Sequence, residues 1–68
     1  MTLGNLLKQN RLQANLSLKD VSKKLNVSAR HIIYIEKDER KPSIDVLIQM
    51  CKLYKMDKFS LKYFFDFI

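Results

Sequence analysis

The chain has 68 residues and one cysteine, Cys51, which excludes a disulfide framework and leaves a small core to be held by helix packing or a partner chain. One Cys and one His cannot supply the four ligands of a structural zinc site, and 47% hydrophobic residues are too many for a disordered chain. Thirteen Lys+Arg against seven Asp+Glu give a net charge of +6, which points to a polyanionic partner, nucleic acid before membrane.

No apolar run approaches the roughly 18 residues of a membrane span. The opening "MTLGNLLKQNR" has its basic residues after its leucines, the reverse of a secretion signal. A single thiol fits a reducing cytosol, so the expected location is cytoplasmic. With one Gly, one Pro and no repeat, residues 1–68 read as a single domain. The pattern is helical throughout, with no period-two alternation.

The first helix is predicted over Thr2 to Asn15, with Thr2 as cap and Leu3, Leu7 and Ala14 on its inner side. Ser17 caps a second, with Leu18, Val21 and Leu25 as its apolar face. Asn26-Val27 makes a turn and Ser28 caps a third helix. Pro42 forces Lys41 into extended geometry, and Ser43 caps a fourth with Asp45 in its first turn, where the dipole favours an acid. Its stripe is Ile44, Leu47, Cys51 and Tyr54, with Cys51 a small buried hydrophobe. "KMDKFS" is a polar break, and a last short helix over about 60–67 starts at Ser60, or earlier if Asp57 caps it. Asn15, Asn26 and Asp38 stand at helix ends, where a left-handed residue is usually Gly; Asn and Asp tolerate that conformation best among the rest.

In "NVSARHIIYIEKD", Ile32 and Ile33 lie about 100° apart and cannot share one narrow stripe. Ile32 pairs with Ile35 on the inner side. Ile33 falls with Ala29, Arg30 and Tyr34 on the outer side, because 29/33 and 30/34 are each four apart.

Residues 17–37 therefore form a short helix, a tight turn and a second helix, the layout of helix-turn-helix DNA binders. "LSLKDVSKKLNVSARHIIYIEKDERKPS" resembles the phage-repressor/Cro-type (Xre-like) helix-turn-helix family. The matching positions are Leu16-Ser17, Val21, Leu25, Val27-Ser28, Ile32, Ile35-Glu36 and Arg40-Lys41-Pro42-Ser43, and the likeness extends from "LLKQNR" to "LIQMCKLY" and "SLKYFF". The resemblance implies an all-α, five-helix lambda-repressor-like domain that binds operator DNA, usually as a dimer. Four departures stand out: Leu18 where the family commonly has a phosphate-touching Gln, Ser22 for a usual Ala, non-Gly residues at Asn15, Asn26 and Asp38, and a few extra residues around Lys55 to Lys58.

With that motif, Arg30 is expected to bond a base edge, guanine above all. Ala29 and Ile33 are placed to meet thymine methyls and Tyr34 a base or phosphate; burial of Ile33 against Leu18 is the equal alternative. Phosphate contacts are expected from Ser17, Lys19, Ser28, His31, Lys37, Arg40 and Lys41. The resemblance also implies a buried ion pair between Arg11 and Glu36, structural in role. "LKYFFDFI" carries more apolar surface than one short helix hides, so Tyr63, Phe64, Phe67 and Ile68 are expected at a homodimer interface, with folding onto the core as the alternative.

The function expected is a sequence-specific double-stranded DNA-binding regulator, a repressor acting as a homodimer. The alternative is a protein-interaction, plasmid or toxin–antitoxin accessory module on the same fold. An enzyme is excluded by the lack of a nucleophile–base pair, a phosphate-cradling glycine loop or a metal cluster, and no cofactor is expected. Sixty-eight residues leave no room for an effector domain, so a signal is expected to act through a regulatory protein partner, the dimer equilibrium or expression level.

Overall fold

The structure is a computed structural model and describes residues 2–56. These form four helices: α1 (Leu3–Gln13), α2 (Leu18–Leu25), α3 (Ala29–Glu36) and α4 (Ile44–Tyr54). The expected fifth helix over about 60–67 lies outside the described residues.

Every helix starts the same way. Thr2, Ser17, Ser28 and Ser43 are the N-caps, all with extended backbone. Each hydroxyl accepts the N–H three residues on: Asn5 to Thr2 at 3.2 Å, Asp20 to Ser17 at 3.0 Å, His31 to Ser28 at 3.1 Å and Val46 to Ser43 at 3.2 Å. Each bond satisfies one donor that the first turn leaves without an intrahelical partner. An eight-residue helix such as α2 or α3 is too short to persist alone, so these caps and the core must both hold it.

Every helix also ends the same way. A left-handed residue follows the last turn: Asn15 (φ 59°), Asn26 (57°), Asp38 (61°) and Lys55 (53°). The next N–H then reaches back five residues: Leu16 to Arg11, Val27 to Ser22, Glu39 to Tyr34 and Met56 to Cys51. This is the Schellman ending, which satisfies orphan carbonyls and turns the chain sharply. Leu16, Val27 and Met56 use that turn to pack against the core, the apolar contact that commonly accompanies the motif. Asn15, Asn26 and Asp38 are the three turn residues expected from sequence; Lys55 is a fourth.

The one glycine does something else. Gly4 lies in the first turn of α1, where a Cβ would stand 2.6 Å from the carbonyl oxygens of both Ile35 and Glu36. The absence of a side chain lets α1 come against the C-terminal end of α3. The Gly4 N–H donates to Asp38 Oδ1 at 2.9 Å. Asp38 thus closes α3 with its backbone and supplies a carboxylate to the positive end of α1.

The core is Leu7, Val21, Leu25, Ile32, Ile35, Leu47, Met50, Cys51 and Tyr54. All four described helices contribute to it. Two expectations need correction. Ala14 is exposed, because α1 ends at Gln13 and Ala14 is its C-cap. Ile44 is 55% exposed, because it sits at the first residue of α4, beyond the core; Met50 completes the stripe with Leu47, Cys51 and Tyr54. Burial pushes the Cys51 thiol above its ordinary value and Tyr54 up to about 12, so both stay protonated at neutral pH.

Candidate nucleic-acid interface

The candidate interface is built on α2, the turn at Asn26 and α3. Two devices fix α2 to α3. The Ser22 hydroxyl donates to the Val27 carbonyl across the turn. Val27 packs on the core behind it. At the start of α2, Ser17 and Asp20 form a reciprocal capping box, the Ser17 N–H donating to Asp20 Oδ2 at 2.9 Å. That N–H and the Ser17 hydroxyl hold the Asp20 carboxyl below its usual value. The pairing also occupies the Ser17 N–H and the Asp20 N–H, so an anion at this end has the amides of Leu18 and Lys19 left to it.

The helix α3 is divided by face. Ile32 is 0% and Ile35 1% exposed, and both belong to the core. Glu36 shares that inner side and is paired with Arg11: Nε donates to Oε2 at 2.7 Å and Nη2 to Oε1 at 3.2 Å. Arg11 Nη1 also donates to the Leu16 carbonyl at 2.9 Å, just after α1 turns. The guanidinium therefore ties α1, the α1–α2 turn and the end of α3 together. A buried charge is tolerated here because each partner satisfies the other.

On the other side, Arg30 is exposed, and Ala29, His31, Ile33 and Tyr34 are half-covered. Ser28 is exposed at the cap, and Lys19 projects from α2. The segment after α3 is held back against it, since the N–H groups of Glu39 and Arg40 both donate to the Tyr34 carbonyl. Lys37, Arg40 and Lys41 are exposed along this segment. The structure thus leaves Arg30, Lys37, Arg40 and Lys41 exposed, and ties the backbone of the segment after α3 to Tyr34 by hydrogen bonds. The residues expected at a dimer contact, Tyr63, Phe64, Phe67 and Ile68, lie outside the described residues.

One feature of the surface was not expected from sequence. A groove of about 440 Å³ runs beside α3, lined by Thr2, Asn5, Lys8 and Arg11 of α1 and its cap, Leu18 of α2, and Ile33, Glu36, Lys37 and Asp38. Leu18 and Ile33 therefore share one depression. Lys8 drew no attention in the sequence because helix 1 lies outside the two-helix motif. Among the described residues no group of three or more His, Cys, Asp or Glu stands ready to hold a metal, and no helix is long and apolar enough to cross a membrane.

Comparison with known proteins agrees with this geometry. A protein-family model described as helix-turn-helix matches residues 7–58, from the middle of α1 past the end of α4. Among curated proteins, the chain is similar to the HTH-type transcriptional regulator ImmR of Bacillus subtilis (strain 168), with 34% identity over 56 residues. That match covers 82% of this chain and 44% of the relative, so the chain spans less than half of that protein's length. No solved structure matches the chain. The chain belongs to the helix-turn-helix family of the phage-repressor/Cro (Xre-like) type, a family of DNA-binding transcription regulators.

Proposed function

We propose that this chain is a sequence-specific double-stranded DNA-binding regulator, a repressor that binds its operator as a homodimer with α3 in the major groove. The observation that carries the reading is the division of α3: its inner side is sealed into the core while Arg30, Ile33 and Tyr34 stand outward beside exposed Lys37, Arg40 and Lys41.

In this reading Arg30, two residues past the cap, donates to the two acceptors of a guanine edge. Ala29, Ile33 and Tyr34 lie along the same edge of the groove and read neighbouring bases. Ser17, Lys19, Ser28, His31, Lys37, Arg40 and Lys41 meet phosphates and fix the register of the helix. Their spread over the start of α2, the start of α3 and the segment after α3 lets two backbone strands be held at once. Arg11 and Glu36 touch no DNA; they keep α3 at a fixed depth. Tyr63, Phe64, Phe67 and Ile68 contribute to the two-fold contact. The basic balance of the chain supplies the sequence-independent part of the affinity, which falls as salt rises.

Selection of bound duplexes from a random DNA pool tests the proposal. The expected result is a palindromic motif with half-sites about one helical turn apart, roughly 34 Å. A single half-site would remove the dimer and leave the reading helix. Absence of salt-dependent binding at both low and physiological salt would remove the DNA reading altogether and favour a protein-interaction module.

A further inference from the structure

We propose that Leu18 and Ile33 form one apolar reading surface that selects a pyrimidine bearing a 5-methyl group, which in ordinary DNA is thymine. This rests on α3 reading the major groove, and it assigns to Leu18 a specificity-determining role.

Ile33 stands one turn after Ala29 and one turn before Lys37, on the outward row of α3. It is half-covered, yet it is absent from the side chains that pack on the core cluster. It lines the groove that Leu18 also lines. Leu18, by contrast, does pack on the core. It is the first residue of α2, directly after the reciprocal Ser17–Asp20 cap. Leu18 is therefore a fixed apolar wall, and Ile33 is an apolar side chain with no core duty facing it.

The charges around this pair identify the occupant. Two acids line the groove, and both are engaged: Glu36 by Arg11 and Asp38 by the Gly4 N–H. Lys8 and Lys37 also line it, and neither has a salt-bridge partner among the described residues. The lining carries three cationic side chains against two carboxylates, so the groove presents an apolar centre with a net positive edge. A neutral hydrophobic ligand would leave both ammonium groups unused, and a small hydrophilic anion would gain nothing from Leu18 and Ile33. A DNA strand answers both, with phosphates for the lysines and an apolar group for the centre. Among the four bases the major-groove edge offers one apolar group, the thymine C5-methyl. Neither Leu18 nor Ile33 carries a donor or acceptor, so the pair reads that methyl by burial rather than by hydrogen bonding.

The test uses the full chain and a duplex selected by it from a random DNA pool. Thymines of that duplex are replaced one at a time by deoxyuridine, which lacks only the methyl group. The transfer of one methyl from water corresponds to about a four-fold change in affinity. The expected result is one thymine per bound chain whose replacement weakens binding by about that factor. Ile33→Ala should keep helix content, because Ile33 is outside the core, and should bring the thymine-to-deoxyuridine ratio at that position close to one. Leu18→Gln should reduce the same ratio and leave all other thymine positions as they were. A chain that selects a sequence but tolerates every deoxyuridine exchange overturns the inference and leaves DNA reading intact. An Ile33→Ala chain that retains the full ratio also overturns it. A chain that selects no sequence overturns both this inference and the function it rests on.

Discussion

On the inner side of α3, Ile32 and Ile35 are sealed from solvent and Glu36 is locked to Arg11; one residue along, on the outer side, Arg30 is exposed and Ile33 and Tyr34 are only half-covered. The inner residues fix where an eight-residue helix lies. The outer residues contribute little to that placement, so their chemistry can vary without unfolding the domain. Adjacent positions in the sequence thus obey different constraints, because about 100° of rotation separates each residue from the next. Substitutions on the two sides should therefore separate stability from binding.

The largest effect is expected on the inner side. Arg11→Ala leaves Glu36 as an uncompensated buried charge and should lower the unfolding free energy by roughly 3–5 kcal/mol, read from urea denaturation. In a domain this small that loss approaches the whole stability. Gly4→Ala comes next. Its new Cβ would press on the Ile35 and Glu36 carbonyls, which are backbone and cannot rotate away. Overpacking of this kind costs roughly 1–3 kcal/mol, and the shift in denaturation midpoint should come without any change in surface charge. A smaller change of opposite sign is expected at Lys55, whose left-handed backbone is unfavourable for a side chain. Lys55→Gly should stabilise by up to about 1 kcal/mol in thermal melting.

The acid limb of the stability curve offers a finer check. Asp20 has its carboxyl held below the ordinary value of 3.8 by the Ser17 N–H and hydroxyl. A lowered folded value means that the contribution is present above that ordinary value and is lost as pH falls through the folded one. Asp20→Asn should remove this part of the pH dependence and leave the curve at neutral pH nearly parallel.

These differences also explain what could be read from the sequence. The four caps were legible because Ser or Thr before an apolar period satisfies a local need. Asn15, Asn26 and Asp38 were legible because Asn and Asp tolerate left-handed backbone. Lys55 was not, since lysine has no such preference and its conformation belongs to the turn that packs the half-buried Met56 against the core. Gly4 was not legible either: its reason is the approach of the Ile35 and Glu36 carbonyls of α3, far away in the chain. The same distance hides the second role of Asp38. On α4, periodicity alone gave Ile44 for Met50, because a stripe read from spacing does not say where the core stops. For the candidate interface, the outer row Ala29, Arg30, Ile33 and Tyr34 followed from helix geometry. The groove joining Leu18 to Ile33 did not, because it needs α1, α2 and α3 in their final positions.

On the outer side, Lys41→Ala should weaken binding to all duplexes alike and reduce the salt slope by about one contact. Arg30→Ala is the more telling variant. The most direct measurement is the base-preference profile of the Arg30→Ala chain beside that of the natural chain, with melting recorded on both. The expected outcome is an unchanged melting temperature, a loss of roughly 1–3 kcal/mol on the selected operator and relaxed preference at one base pair. An Arg30→Ala chain that folds and keeps the full profile would contradict the assignment of α3 as the reading helix.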